Sequence, residues 1–284
     1  MSVRTISRLV QSTDEHVGSF AIKNLLPNRE LKQIDPFLLI HHLPASKLAA
    51  GNPMRIAPHP HAGFEVMTYL LEGEFFHRDS KGNDQVAFPG DVNWMTSGSG
   101  IVHSEGPTES FARQANPVVS LFQVWINLPA AQKKIEAGFR HFPSATFPFL
   151  RDQYSTLKIL LGGQAGQLSP IDTVTPIYLY HLTMVKGHSL DLTIDASDSA
   201  GAYLMRGQVR SAGQILEAGI LAAYQFDGDR LSFEALEDSE LIIFGGLPIK
   251  EKVVSYGPFV MNSMEQIQEA VLNYEQGRMG KLEY

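Results

Sequence analysis

The chain has 284 residues, 44% of them hydrophobic and 19% charged, with a net charge of −7 and no cysteine. This composition suits one or two globular domains with ample core. The acidic balance leaves no basic field for a polyanion, so direct nucleic-acid binding is not expected, and the lack of cysteine excludes disulfides, thiolate metal ligands and cysteine nucleophiles together.

Met1-Ser2-Val3-Arg4-Thr5 begins no long apolar segment, and no apolar run reaches the roughly 18 residues of a membrane helix. A cytoplasmic location with no membrane partner is therefore expected. The first distinctive motif is His59-Pro60-His61, answered some way on by His103-Ser104-Glu105. Each pair is spaced i, i+2, which on a strand puts both side chains on one face. Two neighbouring strands could thus aim three imidazoles and a carboxylate at one point. A mixed N/O set of that kind suits Fe(II), Mn(II), Ni(II), Cu(II) or Zn(II) better than Ca(II) or Mg(II). Glu65 shares strand parity with His59 and His61 and stands as the alternative carboxylate. The rival reading of the histidines is surface or hydrogen-bonded core residues.

Between and after the two motifs the periodicity is two-residue. Val66–Leu71 reads as a strand running into the turn Glu72-Gly73, and Glu74–Arg78 as its return. Gln85–Phe88 leads to the turn Pro89-Gly90-Asp91. Val92–Met95 and Val118–Ile126 are further strands. Many short strands at this spacing imply a sandwich or barrel. Trp94, Phe122 and Trp125 read as core, His77 as a solvated residue at a turn, and His42 as either a pocket residue or one bonded to backbone. His16, His141, His181 and His188 lack a paired partner and are assigned no role.

Pro129 to Gln153 reads as a linker, with a short helical stretch over Ala130–Ala137 followed by irregular chain. Ala202–Val209 then echoes Thr68–Phe75, including Gly207 for Gly73, and Glu240–Phe244 completes a second β unit. The echo implies an internal duplication. Counting back from Gly207 puts Thr193 and Asp195 where the first half has His59 and His61, and no histidine follows His188. The second half therefore cannot rebuild the site. Near the end, Ser263 with Gln266 forms a capping-box pattern. Ile267, Ala270, Val271 and Tyr274 form one stripe, and Gly277 is a natural stop.

Several segments together carry a family resemblance: Asp35-Pro36-Phe37-Leu38-Leu39-Ile40, His59-Pro60-His61-Ala62-Gly63-Phe64-Glu65, His77-Arg78-Asp79-Ser80, Gly100-Ile101-Val102-His103-Ser104-Glu105, Trp125-Ile126-Asn127-Leu128-Pro129 and Tyr256-Gly257-Pro258-Phe259-Val260-Met261-Asn262. The chain resembles the pirin family of the cupin superfamily along nearly its whole length. The resemblance implies an all-β fold of two cupin (jelly-roll) barrels in tandem with a C-terminal helix at about 263–276. It implies a metal-binding N-terminal cupin over 1–135 and a C-terminal cupin without a metal over 136–284.

The metal ligands it implies are His59, His61, His103 and Glu105. Family members are typically iron proteins. Several bacterial ones oxidise the flavonol quercetin with O₂, whereas the mammalian one is a nuclear transcriptional co-regulator. The expected function is accordingly a quercetin 2,3-dioxygenase (flavonol 2,4-dioxygenase) that opens the flavonol ring, with Glu105 as catalytic base for the 3-hydroxyl. The expected cofactor is one divalent transition metal, Fe(II) before Ni, Mn, Co, Cu or Zn, and the expected partners are a small aromatic substrate such as a flavonol, and O₂. The alternative is an iron-binding, redox-responsive regulatory protein with a protein partner. Two departures are visible: Ala62 stands where pirins commonly carry Arg, and Ile40-His41-His42-Leu43 replaces a more usual Leu-Asp-His-Phe.

Overall fold

Strands form where the sequence alternates, and they turn where glycine permits. Phe64–Glu72 is buried on both faces over most of its length, as a central strand should be. It ends at Gly73, whose φ of +94° suits only glycine and whose added Cβ would lie 2.6 Å from the Val118 carbonyl oxygen. Gly207 ends the strand Ser199–Arg206 in the same way, with φ +85°. The Pro89-Gly90-Asp91 turn is closed by Asp91 N–H donating to the Phe88 carbonyl and by Phe88 N–H donating to the Asp91 carboxylate.

The computed structural model describes residues 2–48 and 55–282. Two compact units emerge, each pairing a seven-stranded with a four-stranded antiparallel sheet. In the unit that carries the histidines, the larger sheet runs Gly138–Phe142, Val92–Thr96, Phe64–Glu72, Val118–Asn127, Phe37–Lys47, Phe20–Leu26, Thr13–Val17. Its smaller sheet runs Ile56–His61, Ile101–Pro107, Phe75–Asp79, Asp84–Ala87. The other unit repeats the pattern, with Ser199–Arg206 in the place of Phe64–Glu72 and Ser189–Thr193 beside Arg230–Ala235 in the place of the two histidine strands. The tandem all-β architecture and the duplication are thus present. The second unit's core is apolar and aromatic, with Leu192, Leu204, Leu231, Phe233 and Ile243 buried together.

The chain does not divide at a single point. One unit comprises Met1–Thr13, Leu25–Phe37 and Ala145–Pro248, and the other Asp14–Asn24, Leu38–Ser144 and Ile249–Tyr284. The cut at 135/136 expected from the sequence differs from this grouping at both ends. The first strand, Ile6–Gln11, pairs with Ile220–Tyr224, while the C-terminal helix belongs with the histidine unit.

That helix spans Met264–Glu275 with the full Ser263/Gln266 capping box, and Gly277 follows at φ +71°. Ile267 and Ala270 are buried against Phe259 and Met261, whereas Tyr274, on the same stripe in the helix's last turn, is exposed. The helical stretch expected over Ala130–Ala137 is only a 3₁₀ turn at Ala130–Gln132, and the supposed linker contains the edge strand Gly138–Phe142. Among the described residues no helix is long and apolar enough to cross a membrane.

Candidate metal centre

Ile56–His61 and Ile101–Pro107 pair antiparallel with Ile101 opposite His61 and His103 opposite His59. Alternation along the first strand and pairing across to the second bring three imidazoles to one face. His59 Nε2 and His61 Nε2 lie 3.1 Å apart, and ring centroids of His59 and His61 lie 4.3 and 5.0 Å from that of His103. Ligand atoms of the three residues all fall within 4.8 Å of one another.

The far nitrogens are occupied. His59 Nδ1 donates to the Ala57 carbonyl at 2.9 Å and His61 Nδ1 to the Pro258 carbonyl at 3.3 Å. With both rings neutral, the two Nε2 atoms present lone pairs to each other, a contact that a cation between them would relieve. Two nitrogens in adjacent positions around a metal at roughly 2.1 Å would be about 3 Å apart, which is the spacing seen. His103 Nε2 is buried with no hydrogen-bond partner among the described residues. Burial, reinforced by His59, holds His61 down at about 3 against the pull of the Pro258 carbonyl. Burial and then the neighbouring imidazoles hold His103 well below the usual histidine range. These two buried rings are thus neutral, as metal ligation requires. The donor set fits a divalent transition metal.

Glu105 shares the face of His103, but the group of mutually close ligand atoms among the described residues does not include it. The pairing register shifts between His103 and Glu105, because the partner strand carries one extra residue there. The Glu105 carboxylate is buried and accepts from the Gln123 amide. It lines a cavity of about 30 Å³ with Gln123, His41 and apolar side chains such as Phe20, Phe75 and Leu121. Glu65 lies elsewhere. Phe64, its neighbour in sequence, turns its ring to His61 at 5.1 Å, so Glu65 points to the opposite face. There Trp94 Nε1 and Thr96 Oγ1 donate to its Oε1 at 3.3 and 2.9 Å.

Other expectations resolve by residue. Trp94 and Phe122 are core. Trp125 is half-buried and sits 5.1 Å from the His61 ring, at the site itself. His42 stacks on Phe122 at 4.5 Å, and its neighbour His41 lines the cavity, its pKa pushed down to about 4 by burial against the pull of Glu15. His77 is not solvated: it is 3% exposed, donates from Nε2 to Asp79 Oδ2 at 2.9 Å and approaches His103. The His77-x-Asp79 spacing, i, i+2 like the ligand pairs, was the signal for it.

Ala62 is fully buried in an apolar cluster with Val102, Phe259, Met261 and Ile267. In the second unit Leu192 pairs with Leu231, in the register that holds His59 and His103 in the first, and Leu190 pairs with Phe233 in the register of Ile56 and Glu105. Asp195 lies beyond that strand in a turn, bonded to Ser197, and the buried Leu192 and Ile194, rather than Thr193 and Asp195, stand at the places of His59 and His61.

Comparison with known proteins agrees with this architecture. Residues 19–126 match the Pirin family model and 179–280 the Pirin C-terminal cupin domain. A Pseudomonas aeruginosa protein provisionally named quercetin 2,3-dioxygenase is 32% identical over 263 residues, covering 91% of this chain and 92% of its own. The crystal structure of a quercetin 2,3-dioxygenase from Acinetobacter baumannii superposes with a TM-score of 0.94 at 27% identity, covering 99% of this chain and all of that one. A bacterial pirin from Escherichia coli in complex with nickel(II) shares the fold at a TM-score of 0.67 and 22% identity, over 85% of this chain and 99% of its own. Two cupin units in tandem, the first holding a three-histidine cluster and the second an apolar core, make this chain a member of the pirin family.

Proposed function

We propose that this protein is a metal-dependent dioxygenase of the quercetinase type, with His59, His61, His103 and Glu105 as ligands of one divalent transition metal, Fe(II) in the first instance. The observation that carries the reading is the convergence of ring nitrogens from three histidines, with His103 Nε2 buried and without a partner among the described residues, beside a cavity lined by Glu105. The likeness to the Acinetobacter baumannii quercetin 2,3-dioxygenase supports the choice of substrate class.

When bound, such a metal supplies Lewis acidity and an open coordination position for reaction with O₂. The chain's own residues do the rest. Glu105 accepts the proton of the flavonol 3-hydroxyl, and Gln123 holds its carboxylate in orientation through Oε1. Phe20, Phe75 and Leu121 keep water from the electron-rich enolate so formed. Ring opening then releases carbon monoxide. The cavity at Glu105 has room for a water-sized group, so a three-ring substrate must displace lining side chains to reach the carboxylate. The reading places the protein in the cytoplasm, with a flavonol-like aromatic and O₂ as its small-molecule partners.

The test is O₂ uptake and carbon monoxide release with quercetin, using apoprotein reconstituted separately with Fe(II), Mn(II), Co(II), Ni(II), Cu(II) and Zn(II). Metal-dependent turnover is expected in the wild type and is lost in Glu105→Ala. His59→Ala and His103→Ala should fold yet bind no stoichiometric metal. Full occupancy without turnover, for every metal, would replace the dioxygenase by the regulatory alternative.

A further inference from the structure

His59 and His61 each give their Nδ1 proton to a backbone carbonyl, but His103 does not. Its Nδ1 lies 3.4 Å from Nδ1 of His77, on the neighbouring strand Phe75–Asp79. A contact between two ring nitrogens holds one proton, so one ring donates and the other accepts. The other nitrogen of His77 decides which. Its Nε2 lies 2.9 Å from Asp79 Oδ2, and an ionised carboxylate only accepts.

Asp79 has no freedom to do otherwise. Its Oδ1 accepts from the backbone N–H groups of Lys81 and Asn83, and the Asn83 amide bridges both oxygens. Burial disfavours the Asp79 charge, but the hydrogen bonds from His77 and Asn83 outweigh it and hold the carboxyl below its usual range. The His77 ring is fixed as well, stacked on Phe139 at 3.9 Å and 5°. With its proton on Nε2, His77 offers a lone pair at Nδ1. His103 must then carry its proton on Nδ1, which leaves its buried, partnerless Nε2 as a lone pair on the side of His59 and His61.

We infer that His77 and Asp79 are a positioning pair that fixes the tautomer and orientation of His103 and so raises the metal affinity of the three-histidine centre. The inference rests on the reading of that centre as a metal site. Backbone carbonyls do the same for the other two ligands. The third instead relies on a side-chain relay from the strand that also carries His77 opposite Glu105.

The experiment uses the full chain and Zn(II), which is diamagnetic. Zinc dissociation constants are measured by competition with a chromophoric chelator for wild type, His77→Phe, His77→Gln and Asp79→Asn. Histidine ¹⁵N spectra are recorded on the zinc-loaded wild type. One zinc per chain is expected, with protons on His103 Nδ1 and His77 Nε2 and none on His77 Nδ1. His77→Phe keeps the ring stacked on Phe139 but removes the acceptor, and should weaken zinc binding by roughly 10- to 100-fold. Asp79→Asn should weaken it in the same direction. His77→Gln, whose amide oxygen can accept from His103, should recover affinity toward the wild type.

A wild type that binds no zinc would overturn the metal reading itself. A wild type that binds zinc as tightly as His77→Phe, or that shows a proton on His77 Nδ1, would overturn the relay alone. Should His77→Phe fail to fold, the spectra and the glutamine variant decide between the same outcomes.

Discussion

Glu65 shows how a single residue is misplaced by parity. Counting in twos from His59 puts it on the ligand face, as it would be on one continuous strand. The chain is not continuous there. Gly63 adopts φ +89° between Ile56–His61 and Phe64–Glu72, which belong to different sheets, and the count restarts on the other side. The histidine pairs were legible because each lies within one strand.

Glu65 instead occupies a buried position where burial pushes its carboxyl up to about 7 from an ordinary 4.5, against the bonds from Thr96 and Trp94 and the charge of Arg140. A raised carboxyl favours the fold only while it is protonated. Its contribution is whole below about 4.5, falls as the unfolded chain ionises, and is gone once pH passes about 7. Glu65→Gln keeps an acceptor for Thr96 and places an amide where Oε2 has no partner among the described residues. The variant should gain on the wild type across this window, by up to about 3 kcal/mol at pH 8. Urea midpoints for both proteins at pH 4 and pH 8 measure it, and equal differences at the two values would contradict it.

At the scale of elements, the site depends on a hairpin far away in sequence. Val254–Tyr256 and Phe259–Met261 pair, and the turn between them supplies the Pro258 carbonyl that orients His61. Gly63 lets the hairpin approach: a Cβ there would lie 2.0 Å from the Val260 carbonyl oxygen. Lys133, 1% exposed, ties the parts together. Its ammonium donates to the Gly63 carbonyl at 2.8 Å, to Asn127 Oδ1 and to the Val260 carbonyl at 3.1 Å.

This is also why the Ala130–Ala137 stretch is not helical despite its helix-forming residues. A straight helix would compete with placing Lys133 among those three acceptors and with the close approach of the Ile135 carbonyl to Gly98. Nothing local in the sequence announces such a tertiary tie. Lys133→Met would fill the space but leave three buried acceptors without their donor. A loss on the order of 2–4 kcal/mol is expected, with weaker zinc binding because the Pro258 carbonyl is no longer held. A thermal melt reads the first and chelator competition the second. An unchanged melting temperature would show that the buried lysine does not hold the hairpin.

Across the whole molecule the duplication was readable and its boundaries were not. The echo of Thr68–Phe75 in Ala202–Val209 marks equivalent strands ended by glycines of the same conformation. Counting back from Gly207 to Thr193 and Asp195 then misses by one residue, because the connection between strands differs in length while the pairing puts Leu192 in register with His59. The division at 135/136 differs from the compact units for a related reason, since composition along the chain does not record which sheet a terminal segment joins.

A fragment of residues 1–135 therefore tests the architecture. It would lack Gly138–Phe142, the edge strand that pairs with Val92–Thr96, and the segment Ile249–Tyr284 with its Pro258 carbonyl and helix. It would also carry the strand Ile6–Gln11 without its partner Ile220–Tyr224, an unpaired edge that invites association. Such a fragment should show no cooperative thermal transition by circular dichroism and no stoichiometric zinc. The full chain should show both, and Asp195→Ala should keep one zinc per chain because the second unit's equivalent positions, Leu192, Ile194 and Leu231, are apolar. A cooperative, zinc-binding fragment would mean that the histidine cluster needs neither the returning hairpin nor the edge strand.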